Sequence, residues 1–410
     1  MNFIAIIILT TIFVDFILNF YSDILNLKAV KDELPDEFKD IYEPEKYQKS
    51  QQYLKVSTQF GWYVAIFDLF LIIAFWFGKG FPSLDYWIRS WNLNIIVTGV
   101  LYMAILGLLK TIISLPFGIY STFVIEERFG FNKTTWKTFV LDLIKGFFLS
   151  IIIGVPLLAG ILAFFEYAGS NAWWYCWIVV TIFMFIIQFI APTWIMPLFN
   201  KFEPLEEGEL REAIMSYAES VNFPLKNLFV MDGSKRSSKS NAFFTGFGKN
   251  KRIALYDTLI EKHTKEELVA ILAHEIGHYK KKHVFINILI GILHSGLMFY
   301  LLSFFISYEG LFDAFYMENI SVYSGLIFFG MLLSPIDFFL GLAMQVLSRK
   351  NEYEADKFAV ETTKNSGPMI DALKKLSMNN LSNLSPHPFY VFLNYSHPPV
   401  MERIKAIRTL

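Results

Sequence analysis

The chain has 410 residues and a formal net charge of −1, and 54% of its residues are apolar, 18% are charged and 43 are phenylalanine. A soluble protein of this size could not bury so much apolar surface, so the composition excludes an ordinary soluble protein and a disordered one. The balance of 36 basic and 37 acidic side chains gives no electrostatic basis for binding nucleic acid. The single cysteine, Cys176, precludes an internal disulfide and a zinc–thiolate cluster, so a bound metal requires histidine and carboxylate ligands.

The apolar residues are concentrated in long segments. A helix needs about 20 mostly apolar residues to cross the hydrocarbon core of a bilayer. The segments that meet this requirement are 1–20, 60–78, 93–118, 138–165, 172–198, 284–306 and 321–347. The first lacks both a preceding basic residue and a small-residue cleavage site, so we interpret it as a retained helix and not as a signal peptide. The sequence therefore predicts a membrane protein with seven spans.

Basic residues alternate between the two sides of the predicted spans. The loops after the first and third spans contain several lysine or arginine residues, whereas the loops at 166–171 and 307–320 contain neither. The positive-inside rule then predicts an external N-terminus. It also places the two long polar segments, 199–283 and 348–410, in the cytoplasm.

These boundaries divide the chain into four parts. Residues 1–198 form an N-terminal membrane region with five spans and a cytoplasmic loop at 21–59. Residues 199–283 and 348–410 form the two parts of a cytoplasmic domain, which is interrupted by the sixth and seventh spans at 284–347. We expect the two polar parts to fold together at the membrane surface.

The first polar segment contains both helix and strand patterns. Apolar residues recur at helical spacing over 209–221, and short apolar runs at 228–231 and 253–256 indicate strands. A second helical pattern starts at Lys265, with Thr264 as its predicted N-cap. A small domain of mixed α and β structure is therefore expected.

Several ionisable side chains lie inside the predicted spans: Asp15, Asp68, Lys110, Asp142, Lys145, His294 and Asp337. A charge facing lipid is costly, so we expect these groups to face one another, a water-filled interior or the headgroup zone. Snorkelling to the membrane surface is an equally good interpretation for Lys110, Asp142 and Lys145. His294 and Asp337 lie deeper and favour a polar interior.

The segment 273–278 reads Ala-His-Glu-Ile-Gly-His. His274 and His278 are four residues apart and share one face of a helix, so both imidazoles can bind one ion. Glu275 is then placed to take a proton from a water activated by zinc. Two surface histidines on a polar helix are the alternative, but the apolar residues upstream favour a buried site. The spacing predicts a zinc peptidase site.

The third zinc ligand is expected among the carboxylates at the start of a later helix. Glu352 and Asp356 are four residues apart and share a face, whereas Glu354 points elsewhere. This face offers one ligand carboxylate and a second carboxylate that orients a ligand histidine or carries protons. Without the histidine pair, an acidic first helical turn would be the preferred interpretation.

Two further segments have a functional and a structural interpretation. Pro398 and Pro399 stiffen the chain beside His397, and a helix that starts near them would bring Arg403 close to it; either side chain can stabilise an oxyanion. The alternative is a loop histidine and a surface arginine. The segment 240–248, Ser-Asn-Ala-Phe-Phe-Thr-Gly-Phe-Gly, suggests an edge strand that pairs with an extended peptide, or a plain hairpin that ends at Gly246.

No role is assigned to His283, His387 or Cys176, for which ordinary packing or surface placement is expected.

Taken together, these motifs resemble the integral-membrane CAAX prenyl proteases of type 1, which are gluzincin zinc metallopeptidases. The resemblance extends over almost the whole chain and is carried by the seven-span layout and by 125–133 (IEERFGFNK), 197–202 (PLFNKF), 240–246, 274–278, 352–356 and 395–403. It implies an all-α polytopic membrane protein whose seven helices enclose a water-filled chamber. A small α+β zincin-type domain is expected at the cytoplasmic end of this chamber.

The resemblance also implies roles for individual residues. One zinc ion per chain is held by His274, His278 and Glu352, and Glu275 is the general base. Asp356 is an acidic partner that is often assigned as proton donor. His397 and Arg403 are implied near the transition state, and Asn241 and Ala242 lie on the substrate-binding strand.

The resemblance implies a protein or peptide substrate, which eukaryotic members of the family cleave after a prenylated cysteine near its C-terminus. The composition favours a bacterial inner membrane over the endoplasmic reticulum. A quality-control endopeptidase without a prenyl requirement is the alternative within the same class. A transporter with an incidental zinc site is the alternative from another class, and the odd span count and the lack of a visible repeat argue against it.

Overall fold

The computed structural model describes residues 2–225, 227–245 and 252–410. The helices in these ranges are α1 (Phe3–Lys28), α2 (Pro44–Phe77), α3 (Gly80–Arg89), α4 (Ile95–Tyr120), α5 (Trp136–Leu149), α6 (Val155–Tyr167), α7 (Ala172–Ile190), α8 (Met196–Phe199), α9 (Glu209–Ser220), α10 (Asp257–Ile260), α11 (Lys265–Lys280), α12 (His283–Phe305), α13 (Glu309–Asp313), α14 (Val322–Thr363), α15 (Gly367–Asn379), α16 (Pro388–Asn394) and α17 (Val400–Ile407). The strands are β1 (Phe202–Pro204), β2 (Asn227–Met231), β3 (Ala242–Thr245) and β4 (Arg252–Tyr256).

Within the described residues, seven helical segments are long and apolar enough to cross a membrane. They are Phe3–Lys28, Pro44–Phe77, Ile95–Glu126, Trp136–Tyr167, Gly169–Phe199, His283–Phe305 and Val322–Thr363. Three of them continue through π-helical turns at Ser121–Glu126, Ser150–Gly154 and Ala191–Ile195. Pro192 lies inside the last of these turns, where its missing N–H removes one regular helical hydrogen bond.

Two spanning helices extend well beyond the apolar segments that predict them. Helix α2 begins at Pro44, so much of the predicted loop at 21–59 is helical. Helix α14 continues without a break from its apolar part to Thr363, past the predicted end of the span at 347. Apolar residues mark only the part of a helix that lies in lipid, and neither polar extension contains a residue that would end the helix. The seventh span therefore leads directly into the polar domain.

The ionisable side chains inside the spans are paired with polar groups. Lys110 forms an ion pair with Asp68 between α4 and α2. His294 Nε2 lies 3.0 Å from Asp337 Oδ1 between α12 and α14. All four side chains are partly exposed, and each charge has a partner of opposite charge or a hydrogen-bonding partner.

Two charged side chains of α5 contact neighbouring parts of the chain. The Asp142 carboxylate accepts two hydrogen bonds from the Arg236 guanidinium, at 2.8 and 2.9 Å. Lys145 Nζ donates to the carbonyl of Leu198 at 2.7 Å. The first contact ties the fourth span to the polar domain, and the second ties it to the end of the fifth span.

The polar domain is built on a small sheet with strand order β1-β2-β4-β3 in the described part of the chain. Strands β2 and β4 are parallel, and β1 and β3 add to them antiparallel. Apolar side chains of the sheet pack against α9 and α11 in one core, which includes Ile214, Leu228, Ile253, Leu272 and Ile276. The predicted mixed α and β structure is present.

Helix α11 lies at the centre of this domain. Thr264 caps its N-terminus in a capping box with Glu267, as the sequence predicts for Thr264. Gly277 allows α11 to approach α14 closely, because a Cβ atom at this position would lie 3.1 Å from the Cα atom of Ala355. A larger residue at 277 would push the two helices apart at the level of the candidate ligands.

Candidate active site

The histidine pair lies on the buried face of α11. His274 is 7% exposed, and its Nε2 atom lies 3.1 Å from Nε2 of His278 one helical turn later. Both reactive nitrogens therefore point to the same place, as the four-residue spacing predicts.

Helix α14 brings the predicted carboxylate to these nitrogens. Glu352 is 3% exposed, with Oε2 3.4 Å from His274 Nε2 and Oε1 3.2 Å from His278 Nε2. The three side chains offer ligand atoms that all lie within 4.8 Å of one another. The structure therefore joins His274, His278 and Glu352, which come from distant parts of the sequence.

This arrangement fits a metal ion. Ligand atoms about 2.0 Å from a tetrahedral zinc lie about 3.3 Å from one another, which agrees with the separations of the ligand atoms here. Glu352 Oε2 is buried and makes no hydrogen bond, although ion-pair partners lie near it. A buried carboxylate oxygen without a hydrogen bond is unfavourable unless a cation binds it. Three protein ligands leave a fourth position open for water or substrate.

Asp356 and Arg403 contact His274 at Nδ1, the ring nitrogen that faces away from Glu352. His274 Nδ1 lies 2.8 Å from Asp356 Oδ1, so its N–H donates to that carboxylate and the lone pair of Nε2 faces Glu352. Arg403 donates two hydrogen bonds to the same carboxylate, from Nε at 2.8 Å and from Nη2 at 2.6 Å. The sequence left open whether Asp356 orients a histidine or carries protons. Its contacts are those of an orienting residue.

The charges of the site favour a cation. Burial alone would lower the pKa of His274, but the neighbouring Asp356 and Glu352 carboxylates outweigh burial and raise this pKa to about 9. Burial raises the pKa of Glu275 above its ordinary value, and the nearby imidazoles of His274 and His278 oppose that shift. Carboxylates outnumber the one guanidinium here, so positive charge at His274 is stabilised.

His397 lies on the open side of the site. Its side chain is 64% exposed, and its Nε2 atom lies 3.4 Å from Glu352 Oε1. Arg403 Nη1 lies 3.4 Å from the other oxygen of the same carboxylate. Both predicted residues therefore reach the candidate metal position, His397 from the solvent side and Arg403 from the buried side.

Asn241 and Ala242 lie at the start of the edge strand of the sheet. β3 pairs with β4 on one side, and among the described residues no other strand pairs with it. The Asn241 side chain accepts a hydrogen bond from the amide of Ala242 at 2.8 Å. Phe244 of β3 packs against Tyr279, which follows His278 on α11, with ring centroids 5.8 Å apart. The end of the predicted segment, Gly246, Phe247 and Gly248, lies outside the described residues.

Two residues near the histidine pair, His283 and Glu354, were not predicted from the sequence as part of the site. His283 Nδ1 lies 3.0 Å from His278 Nδ1, and His283 Nε2 lies 3.2 Å from Glu354 Oε2. Lys282, with φ 63°, separates α11 from α12 and turns the chain back towards the site, so helical periodicity could not reveal this contact. The five-residue spacing from His278, just past the helix end, was the one available signal.

Arg349 was also missed as part of the site. Its Nη1 atom donates to the carbonyls of Tyr395 at 2.6 Å and Val391 at 3.2 Å, and so holds the segment that leads to His397. Arg349 precedes Glu352 by three residues on the same helix, so its position near the ligand could have been predicted from the sequence.

The other residues without an assigned role have structural positions. His387 caps α16 through its ring nitrogen, and Cys176 is buried in α7.

Comparison with known proteins explains this geometry. Residues 23–201 match the family model described as CAAX prenyl protease N-terminal, five membrane helices, and residues 204–410 match the model described as peptidase family M48. The chain is 38% identical to a CAAX prenyl protease 1 homolog of Arabidopsis thaliana, over 96% of this chain and 94% of that protein. It is 34% identical to CAAX prenyl protease 1 of Saccharomyces cerevisiae, over 93% of this chain and 89% of that protein. The chain belongs to the CAAX prenyl protease 1 family of peptidase family M48.

A solved structure agrees with this assignment. The crystal structure of S. mikatae Ste24p superposes with a TM-score of 0.94 at 32% identity and covers 99% of both chains. The predicted fold class, seven spanning helices around a chamber with a small zincin-type domain, is confirmed. The predicted resemblance to the CAAX prenyl proteases is also confirmed.

The protein is a multi-pass membrane metalloendopeptidase. The transporter alternative is not supported. Membership of the family implies a bound metal ion, and His274, His278 and Glu352 form the group among the described residues that fits it.

Proposed function

We propose that the protein is a zinc endopeptidase that cleaves prenylated proteins near their C-termini, with one zinc ion held by His274, His278 and Glu352. The observation that carries the metal site is the convergence of two imidazoles and one buried carboxylate at separations of 3.1 to 3.4 Å. The substrate class is supported by the relatives named above, which are CAAX prenyl proteases.

The chain supplies the proton transfer. When bound, zinc contributes Lewis acidity towards water and the scissile carbonyl. Glu275 follows the ligand His274 on the same helix, and we assign it as the base that accepts the proton of the attacking water. Because burial raises the pKa of Glu275, its carboxylate is a stronger base than an exposed glutamate.

The remaining site residues position groups and stabilise charge. Asp356 holds the His274 tautomer, and Arg403 holds Asp356 through two charge-assisted hydrogen bonds. We therefore assign Asp356 to orientation and not to proton donation. His397, on the open side, is the side chain placed to donate a hydrogen bond to the oxyanion of the tetrahedral intermediate.

The peptide is proposed to bind along β3. Among the described residues no strand pairs with the outer edge of β3, which lies beside α11, and an extended peptide can add to such an edge. Asn241 and Ala242 lie where that edge begins. Asn241 accepts from the amide of Tyr256, so by alternation the N–H of residue 244 points away from β4. Phe244→Pro would therefore test whether the outer edge of the strand is used.

The catalytic domain is proposed to face the cytoplasm, because its two polar segments and the loops after the first and third spans, on the same side, are rich in lysine and arginine. The identity of the membrane is a separate prediction. The composition favoured a bacterial inner membrane, whereas the relatives named above come from eukaryotes, which supports the endoplasmic reticulum. Localisation of the tagged protein in its own cells distinguishes the two.

The test uses full-length protein in detergent and two peptides of one sequence, one with a farnesylated cysteine and one without. Mass spectrometry maps the cut sites, and Glu275→Gln is the inactive control. Preferred cleavage after the farnesylated cysteine supports the proposal. Equal cleavage of both peptides at many sites would replace it with the quality-control endopeptidase.

A further inference from the structure

A chain of hydrogen-bonding groups leads from His278 to the surface of α14. His278 Nδ1 lies 3.0 Å from His283 Nδ1, and His283 Nε2 lies 3.2 Å from Glu354 Oε2. His283 is 3% exposed, so its ring is fixed in place, whereas Glu354 is at the edge of the site with a half-exposed side chain. Lys350 Nζ lies 3.8 Å from the other oxygen of Glu354.

These contacts allow one arrangement of protons when His278 binds a metal. A neutral histidine that binds through Nε2 carries its proton on Nδ1. That N–H then donates to Nδ1 of His283, so this nitrogen must be unprotonated. The proton of His283 therefore lies on Nε2 and is donated to Glu354. Every donor in the chain meets an acceptor, so the carboxylate of Glu354 sets both tautomers.

The fold builds this contact from three helices. Lys282 turns the backbone between α11 and α12 with a positive φ of 63°, which places His283 at the first turn of α12, facing back towards His278. Glu354 follows the candidate ligand Glu352 by two residues on α14. The arrangement matches the one around His274, whose Nδ1 donates to Asp356. Each imidazole of the pair thus has its own supporting group.

We infer that His283 and Glu354 are positioning residues that hold His278 in the tautomer and ring orientation that zinc binding requires. The inference rests on the ligand set of the proposed function. A histidine outside the His-Glu-x-x-His motif, His283, then contributes to the affinity of the site for zinc. Removal of such supporting groups typically weakens metal binding about 10- to 100-fold.

A purely structural role is the competing explanation, because His283 and Glu354 also connect α12 to α14. The chain offers matched controls. His294 and Asp337 connect the same two helices, at 3.0 Å, but do not contact the candidate ligands. Glu361 lies on the same helix as Glu354 and has a lysine four residues before it, at 3.7 Å, but no histidine partner.

The experiment measures the zinc dissociation constant by chelator competition on full-length protein in detergent. The variants are His283→Leu, His283→Asn and Glu354→Gln, and the controls are His294→Leu and Glu361→Gln. We expect His283→Leu to weaken zinc binding about 10- to 100-fold. His283→Asn keeps an acceptor near the position of Nδ1 and should restore most of that loss.

Glu354→Gln should weaken zinc binding less, by under about tenfold, because the Glu354 side chain is half-exposed. Both control variants should bind zinc like the wild type. Thermal melting of the metal-free proteins shows whether each variant is folded, and Glu354→Gln, near the surface, provides a folded variant if His283→Leu does not fold.

Wild-type affinity in both His283→Leu and Glu354→Gln would overturn the inference and leave the ligand set intact. An equal loss in His294→Leu and His283→Leu would also overturn it, because general helix packing would then explain the effect. Failure of the wild type to bind zinc would overturn the ligand set itself, and this inference with it.

Discussion

The metal centre and the membrane bundle both place charged groups among apolar residues, but they do so in different ways. In the centre, His274, Glu352, Asp356 and Arg403 are each under 10% exposed, and each contacts at least two of the others. Between the spanning helices of the bundle, charges form separate pairs, such as Lys110 with Asp68, whose side chains are 52% and 43% exposed.

The difference shows what stabilises the charge in each place. Buried charges are stabilised by one another, so removal of one leaves the others without a partner and carries a large cost. A half-exposed pair contributes little by itself. Substitutions in the centre should therefore have large effects on metal and activity, and substitutions in the bundle should have small ones.

The largest effect is expected for Glu352→Ala. The change removes the carboxylate that faces both imidazoles, and the protein should lose zinc and show no measurable cleavage. Glu361→Ala, on the same helix but away from the candidate ligands, is the control and should keep its zinc. Elemental analysis of the two purified variants makes the comparison. Equal zinc content would show that another residue is the third ligand.

Glu275→Gln should remove activity but not metal. Glutamine keeps the shape of the side chain and cannot accept the proton, so we expect kcat to fall by about 10²- to 10⁴-fold. Zinc content should remain that of the wild type. Full turnover by this variant, in an assay that chelators still inhibit, would contradict its assignment as the base.

Asp356→Asn should weaken zinc binding without abolishing it. The amide no longer offers a charged acceptor to His274 Nδ1 and leaves Arg403 partly unpaired, so zinc affinity should fall about 10- to 100-fold. If Asp356 acts only as a proton donor, zinc affinity will not change and kcat alone will fall. Chelator competition and steady-state kinetics on the same sample distinguish these outcomes.

Lys110→Gln together with Asp68→Asn should have the smallest effect. The pair is half-exposed and distant in the chain from the ligands, so zinc affinity should stay within about twofold of the wild type. A loss of zinc as large as that of Asp356→Asn would remove the distinction between the two regions.

The sequence predicted the part of the centre that depends on local helical geometry. The spacing of His274 and His278, and of Glu352 and Asp356, places each pair on one face of a helix, and the structure shows both pairs there. His283 was missed because a left-handed residue at 282 ends one helix and redirects the next. Glu354 was interpreted as pointing away from the site, and its contact with His283 depends on how α12 packs on α14.

The membrane region shows the same limit. Apolar runs located the seven spans, but they did not reveal that α2 starts at Pro44 or that α14 continues to Thr363. A hydrophobic run reports contact with lipid, and a helix ends only where its backbone hydrogen bonds end. The pairing of Asp142 with Arg236 depends on the docking of the domain on the spans, which no local pattern encodes.

The central claim is that two imidazoles and one distant glutamate hold a single zinc ion. The most direct measurement is zinc K-edge absorption spectroscopy, combined with elemental analysis, on full-length protein purified in detergent. We expect about one zinc per chain, bound by two histidine nitrogens and by oxygen ligands, with no sulfur. Well-folded protein that contains no transition metal and binds none when Zn²⁺ is added would contradict the account.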